Sequence, residues 1–474
     1  MTAIVCTLLT AAGFYFSIGL GEQWWLAWLA PVPVLWFAFG DTKGWQVFVA
    51  AWAAYALGAT SILRAYGGIL PLPVLVLSLG GPSFFFALAV LGGRFVQRKV
   101  APLAGVLAFA ALWAAFDFLE SFNSAGGSVA TPATAEAGMP VLAQSASVVG
   151  VWGITFLLGL DSAAIALAVR TRSALAAAIA VAVFAANAAF GLIRVSAPPE
   201  ASIRVALVNT DAMQRAVFSD NEGDTAETVD AYAREIRALK GKGVKLVVLP
   251  EKLAIARAAW QPTLKAKLAE AAREAGAVLV AGVDARDGDK SYNVSWAFSP
   301  AGNDPTIYTK RRLVPLLEQR YTVGPGPLAL ADGTGLEICK DMDFQAMIRS
   351  DIVATRPRLL AVPAWDFVAD ATNHARVAIL RTIENGVPMA RAARNGLLTL
   401  NDRYGRVVAM TVTGGPGFSV LIGELPLDGR GGDTLYSQIG DVFGWFCLLF
   451  GVGFVAFAFV QRRKYQTFPC SSCA

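Results

Sequence analysis

The sequence predicts two parts of different character: a polytopic α-helical membrane domain, and an α/β domain inserted before the last membrane helix. Two observations predict this. The chain has 474 residues, of which 55% are hydrophobic and 16% charged, against roughly 25% charged in ordinary soluble domains. The shortfall is uneven: residues 1–194 and 438–460 are nearly all apolar, whereas 200–435 have the mixed composition of a water-soluble fold. Within that mixed stretch, buried-type strands alternate with amphipathic helices, which is the pattern of an α/β fold.

A helix needs about 20 apolar residues to cross the hydrocarbon core. Seven runs approach this before the mixed stretch, at about 2–20, 25–40, 45–63, 69–93, 100–119, 143–169 and 174–194, and an eighth spans 438–460. The second is short enough to be tilted or partly re-entrant. The first has no basic leader or cleavage site, so it reads as a retained helix and not a signal peptide. Lys43, Arg94, Arg98, Lys99, Arg170, Arg172, Arg462, Arg463 and Lys464 fall in alternate loops, and the opposite loops hold only Arg64. Basic loops stay cytoplasmic, so both termini are expected inside and the mixed stretch outside. The expected domains are 1–195 (membrane, about seven helices), 200–430 (extracytoplasmic, catalytic), 438–460 (membrane helix) and 461–474 (cytoplasmic tail). The loop at about 120–142, rich in Gly, Ser, Ala and Thr, is also expected outside.

The net charge of +5 is thinly spread and predicts no nucleic-acid partner. Cys6 and Cys447 lie in apolar runs as packing residues, and Cys470 and Cys473 form a terminal CSSC too isolated for a metal site. Cys339 is the only cysteine in the mixed stretch, hence a free thiol. One histidine, His374, is present, so a multi-histidine zinc site is excluded.

Strands are expected at 202–210, 244–250, 277–283, near 291–298 and 305–309, at 336–339, 359–365, and near 396–401, 406–412 and 418–423. Helices are expected at 222–241, 261–275, 343–355 and 371–386. Three reactive side chains end strands: Glu251 after VVLP, Lys310 after TIYT and Cys339 after LEI. Sites in open α/β sheets form at the carboxyl edge of the strands. Each residue alone has an ordinary explanation: a helix-start carboxylate, a solvated lysine in KRR, a packing cysteine.

Taken in order, Glu251 in VVLPEK, Lys310 in YTKRRLVPLLE and Cys339 in EICKDMDF resemble the nitrilase superfamily over about 202–425. With its membrane segments, GVWGITFL (150–157), LVPLLE (313–318) and ILRTIENGVPMARAARNG (379–396), the chain resembles the apolipoprotein N-acyltransferase family. The resemblance implies an α-β-β-α sandwich for the catalytic domain and a location in a bacterial inner membrane. It assigns Cys339 as nucleophile, Glu251 as general base and Lys310 as the cation facing the oxyanion. Glu318 supports Glu251, the Lys340 amide is a second oxyanion donor, and Trp365 is a retained pocket residue. No cofactor or metal is implied. The partners implied are a phospholipid acyl donor, a lipoprotein or other amine acceptor, and the membrane.

Departures cluster around the pocket. Lys340 and Asp341 stand where the family has an aromatic residue and a glutamate, Asp366 is new in PAWDF, and the stretch 319–338 is short. A membrane-tethered amidase using the same triad is the alternative reading. A non-catalytic scaffold is disfavoured by the retained Glu, Lys and Cys. A transporter is disfavoured by the few intramembrane charges, chiefly Asp117 and Asp161.

Overall fold

The computed structural model describes residues 1–123, 125–302 and 304–466, so the expectations for Cys470 and Cys473 fall outside the described residues. The chain divides into one unit of Met1–Arg194 with Ile439–Ala474 and a second of Val195–Gln438.

In the first unit, six helices are long and apolar enough to cross a membrane: Gly44–Tyr66, Leu72–Lys99, Pro102–Glu120, Val151–Thr171, Ala174–Val195 and Val442–Gln461. The other two expected spans differ. Thr2–Ser17 is only 16 residues long. The run at 25–40 breaks at Pro31 into Trp24–Leu29 and Val32–Ala38, because proline cannot donate the backbone bond an unbroken helix needs. The run expected from 143 to 169 also starts late. Gly150, at φ 72, separates two short turns from Val151–Thr171, a left-handed conformation that glycine adopts without steric cost.

The loop at 120–142 contains ordered structure. Its segment Pro132–Gly138 is a 3-10 helix packed inside this unit, with Ala133 and Glu136 fully buried. Small side chains let the backbone pack closely, and polar brackets hold it. Asp117 accepts from the hydroxyls of Thr131 at 2.7 Å and Thr155 at 2.6 Å, and Trp28 donates to Glu136 at 2.9 Å. Asp117 therefore has a structural occupation. The outward faces carry Leu8, Leu9, Trp45, Leu77, Val181, Ile193 and Leu449, as expected of surfaces solvated by lipid.

Among the described residues the second unit contains thirteen strands: β1 (Ala201–Thr210), β2 (Leu246–Val248), β3 (Ile255–Arg257), β4 (Val278–Asp287), β5 (Lys290–Phe298), β6 (Thr306–Thr309), β7 (Leu328–Ala329), β8 (Thr334–Leu336), β9 (Leu359–Trp365), β10 (Met389–Arg394), β11 (Leu397–Asn401), β12 (Val407–Val412) and β13 (Phe418–Leu427). They form two sheets, one in the order β13-β1-β2-β4-β5-β6 with β3 also on β4, the other β12-β11-β10-β9-β8-β7. Alternation along β1 explains the layers. Val205 and Leu207 join Leu336, Ala361, Ala390 and Leu400 of the other sheet in one core. Ala206 and Val208 face the opposite way, onto Val229, Tyr232, Leu264 and Leu268 of the helices Glu222–Arg237 and Gln261–Ala275. The helices Gln345–Thr355 and Ala371–Asn385 pack on the second sheet, completing an α-β-β-α sandwich.

One strand was not expected, and one strand expectation needs correction. MARAAR, assigned to no element from the sequence, forms β10, parallel to β9. LEIC does not end a strand at the thiol: β8 stops at Leu336, and Cys339 opens a 3-10 turn, Cys339–Asp343.

Gly282 of β4 lies beneath the Glu251 backbone. A methyl group there would sit 2.6 Å from Glu251 Cα and closer still to the Pro250 carbonyl oxygen. Gly282→Ala is expected to cost about 1–3 kcal/mol by overpacking. It should lower the melting temperature and displace Glu251, so that activity falls by more than the loss of folded protein explains; thermal melting and turnover measured on the same sample check this.

Candidate active site

Both sheets contribute to the site, so the picture of one open-sheet edge is replaced by a seam between two. Glu251 follows β2, and its amide donates across the seam to the Ala364 carbonyl of β9 at 3.2 Å. Lys310 follows β6; its amide donates to the Asn293 carbonyl at 2.9 Å, and its own carbonyl accepts from Gly324 at 3.0 Å. Cys339 comes from the other sheet. It has φ 45, a left-handed conformation uncommon outside glycine, and keeps some solvent exposure. Its thiol lies 3.5 Å from the Trp365 carbonyl oxygen at the end of β9.

Lys310, Glu251 and Glu318 are each 1% exposed. Lys310 Nζ donates to Glu251 Oε1 and to Glu318 Oε2, both at 2.8 Å. Asn293 Nδ2 donates to Glu251 Oε1 at 2.6 Å and Glu318 Oε1 at 2.9 Å. Lys252 Nζ reaches Glu318 Oε1 at 2.7 Å. Two carboxylates and two ammonium groups thus neutralise each other out of water.

The proton affinities follow from this arrangement. Burial favours neutral Lys310, but Glu251 and Glu318 outweigh it and hold the ammonium well above the ordinary lysine value. Burial favours neutral Glu318, but Lys310 and Lys252 bring it down to about 2. Burial pushes the Cys339 thiol well up, Glu251 adds to this, and Lys310 opposes it. At rest Cys339 is thus a neutral thiol, and a thiol reacts as a nucleophile only once it has lost its proton.

The remaining expected residues are placed as follows. The Lys340 ammonium pairs with Asp343 at 3.1 Å, so its side chain is engaged away from the thiol and only its backbone suits the oxyanion role. The Trp365 ring has Lys252 Nζ at 5.3 Å, Arg394 Cζ at 5.4 Å and the Phe218 ring at 5.9 Å from its centroid. Asp366 forms a buried two-pronged pair with Arg391, one arm at 3.0 Å. His374 lies 3.1 Å from Asp370 and 3.7 Å from Asp343. Burial would lower its pKa, but the two carboxylates raise it to about 10. It is an imidazolium at neutral pH and cannot act as a base. Among the described residues, no group of three or more His, Cys, Asp or Glu side chains is arranged to hold a metal.

Two family models match the chain, the apolipoprotein N-acyltransferase N-terminal domain over residues 8–164 and carbon-nitrogen hydrolase over 204–428. An apolipoprotein N-acyltransferase of Geobacter metallireducens is 27% identical over 494 aligned positions, covering 93% of this chain and 91% of its own. One from Pseudomonas syringae pv. tomato is 25% identical, covering 88% and 90%. One from Azotobacter vinelandii is 27% identical, covering 81% of each. The two models together span most of the chain, which is similar to the apolipoprotein N-acyltransferase family along that length. The protein is an N-acyltransferase with a carbon-nitrogen hydrolase fold and a multi-pass membrane domain.

Three residues of this site are not singled out by the sequence analysis. Asn293 is a polar residue in the middle of the apolar run of β5, which is a usable signal because a buried amide must find partners. Lys252 adjoins Glu251 but looks like a surface lysine. Arg391 sits in an unrecognised strand, so its pairing with Asp366 had no signal in the sequence.

His374→Gln is expected to keep at least about a tenth of the activity, since loss of a true general base costs roughly a hundredfold or more. His374 contributes stability that is fully present below 6.5 and lost as pH rises through about 10. The rate profile should therefore show no limb from this residue near 6.5, which turnover measured across that range checks.

Proposed function

We propose that this enzyme moves a fatty acyl chain from a phospholipid, through a thioester on Cys339, to the α-amine of a diacylglyceryl-cysteine lipoprotein. The observation that carries the reading is the buried Glu251–Lys310–Glu318 cluster, which stands against a thiol poised on a strained turn, in a chain with membrane-spanning helices. A lipid-modified acceptor and a lipid donor both reside in a bilayer, which gives such a catalytic fold a reason to be membrane-bound.

The steps use these side chains alone. Glu251 takes the thiol proton as Sγ attacks the ester carbonyl. The developing oxyanion faces the Lys310 ammonium and the Lys340 amide, an early amide of a 3-10 turn and so not committed to a partner within it. The C–O bond breaks, and Glu251 returns its proton to the departing lysophospholipid oxygen. The acceptor amine then attacks the thioester, Glu251 takes the amine proton, the C–S bond breaks, and the thiol is restored. Fixed donors of this kind are typically worth about 10²–10³ in rate each. Glu318 and Asn293 act by holding Glu251 and Lys310 in register.

The catalytic unit is proposed to face the extracytoplasmic side of the inner membrane. The basic-loop bias supports this orientation, with Thr2–Ser17 and the broken run Trp24–Ala38 each counted as a crossing. Alkaline phosphatase fused after Arg204 should be active, and fused after Lys464 inactive; the reverse would overturn the orientation.

Intact mass spectrometry of the protein purified from membranes tests the chemistry. Wild type should carry an acyl-sized adduct on Cys339, removable by hydroxylamine, and Cys339→Ala should carry none and be inactive while still folded. Glu251→Gln should block adduct formation, whereas Lys310→Met should slow both half-reactions. Full activity of Cys339→Ala would end the covalent reading.

A further inference from the structure

Directly behind the nucleophile, one hydroxyl lies between two acids. Tyr308 Oη is 2.9 Å from Glu337 Oε2 and 2.9 Å from Asp341 Oδ2. A tyrosine hydroxyl has a single hydrogen. It can donate to one carboxylate only, so at the other contact the carboxyl itself must supply the proton.

The surroundings decide which acid that is. Asp341 accepts from three backbone amides: Arg312 at 2.7 Å, Arg311 at 3.2 Å and Ile338 at 3.1 Å. Bonds from amides favour a charged carboxylate. Among the described residues Glu337 has no comparable set of side-chain partners. Its carboxyl meets Tyr308 and, at 3.9 Å, the guanidinium of Arg311, which is itself committed to Asp351 on the helix Gln345–Thr355. Burial raises the Asp341 carboxyl as well, but Lys310, Tyr308 and the backbone amides oppose that rise. Glu337 is 3% exposed. The proton therefore belongs to Glu337, giving a directed chain in which the Glu337 hydroxyl donates to Tyr308, and the Tyr308 hydroxyl donates to Asp341.

This chain joins the two halves of the active site. Tyr308 is two residues before Lys310. Glu337 and Asp341 flank Cys339 by two residues on either side. Asp341 also ties the amides just after Lys310 to the amide just before Cys339. We propose that Glu337 is a positioning residue that holds a proton in the working enzyme, and that this proton, relayed as a hydrogen bond through Tyr308 to Asp341, locks the Lys310 loop against the Cys339 turn. The nucleophile's left-handed backbone needs such a lock, because a non-glycine residue there relaxes when its surroundings loosen.

Burial and the Asp341 carboxylate push the Glu337 carboxyl up to about 8, with Arg311 opposing. The proton-dependent contribution is fully present below the ordinary value of 4.5 and lost as pH rises through about 8. Lys310 and Cys339 both lie well above their usual values, so neither explains a loss in that window.

The test compares the full-length wild type with Glu337→Gln, an isostere of the protonated acid that has no proton to lose. The ratio of wild-type to variant acyl transfer should be flat at neutral pH, then fall by up to about tenfold per pH unit above about 8. The wild-type melting temperature should fall relative to the variant's over the same range. Infrared difference spectra at neutral pH should show a protonated-carboxyl carbonyl band in wild type that the variant lacks. A ratio and a melting difference that stay flat into the alkaline range, or no such band, would overturn the proposal. So would a Glu337→Gln protein that fails to fold while Glu337→Asp folds, since that would show the position requires charge. The activity arm rests on the acyl-transfer reading. The melting and infrared arms need no substrate, so the two ideas can fail separately.

Discussion

An ammonium buried away from water is the constraint around which the catalytic unit is organised. Lys310 is 1% exposed, and removing such a charge from solvent costs several kcal/mol unless partners replace its hydration. Glu251 and Glu318 supply those partners at 2.8 Å each. They in turn are excess negative charge unless balanced, which is the work of Lys252 and the Asn293 amide. Each member is present because another would be untenable without it. The cluster is therefore a structural bracket, and in the proposed mechanism it is also the reagent, since a base and a cation held rigidly in a dry site are what attack by a neutral thiol requires.

The second sheet brings the thiol to this bracket through the backbone. The bond from Glu251 to Ala364 crosses the seam, and Trp365, the next residue, presents its carbonyl to Cys339. On the other flank Asp341 gathers amides from the Lys310 loop and from the residue before the nucleophile. Glu251, Lys310 and Cys339, the proposed base, cation and nucleophile, are thus tied to one another at their backbones. Small displacements of a catalytic group are costly in rate, and this wiring limits them.

The membrane unit obeys the opposite economy. Its outward helices expose large apolar side chains, and its polar groups are turned inward in pairs, such as Asp117 with Thr131 and Thr155. A buried polar group without a partner is expensive, so a segment carrying polar side chains is tolerated inside the unit only if they are bonded. Pro132–Gly138 meets that condition.

Much of this was legible in the sequence. Hydrophobic run length set the membrane helices, because spanning is a one-dimensional requirement. Strand–helix alternation set the α/β class, and the order Glu251, Lys310, Cys339 with its flanking residues set the family. What the sequence left open was decided by contacts between residues far apart in the chain. The position of the site at the seam of the two sheets, where a single strand edge was expected, depends on which faces bury against each other. The strand β10, which the sequence analysis leaves unassigned, is defined by its place beside β9. The inward fold of 132–138 depends on Asp117 and Trp28, distant in sequence. Above all, charge state is a tertiary property. Lysines at 252, 310 and 340 look alike in a sequence, as do the acids at 318, 337 and 341. Only burial and partners make Lys310 a permanent cation and Lys340 the partner of Asp343, and leave Glu337 with a proton that Glu318 gives up.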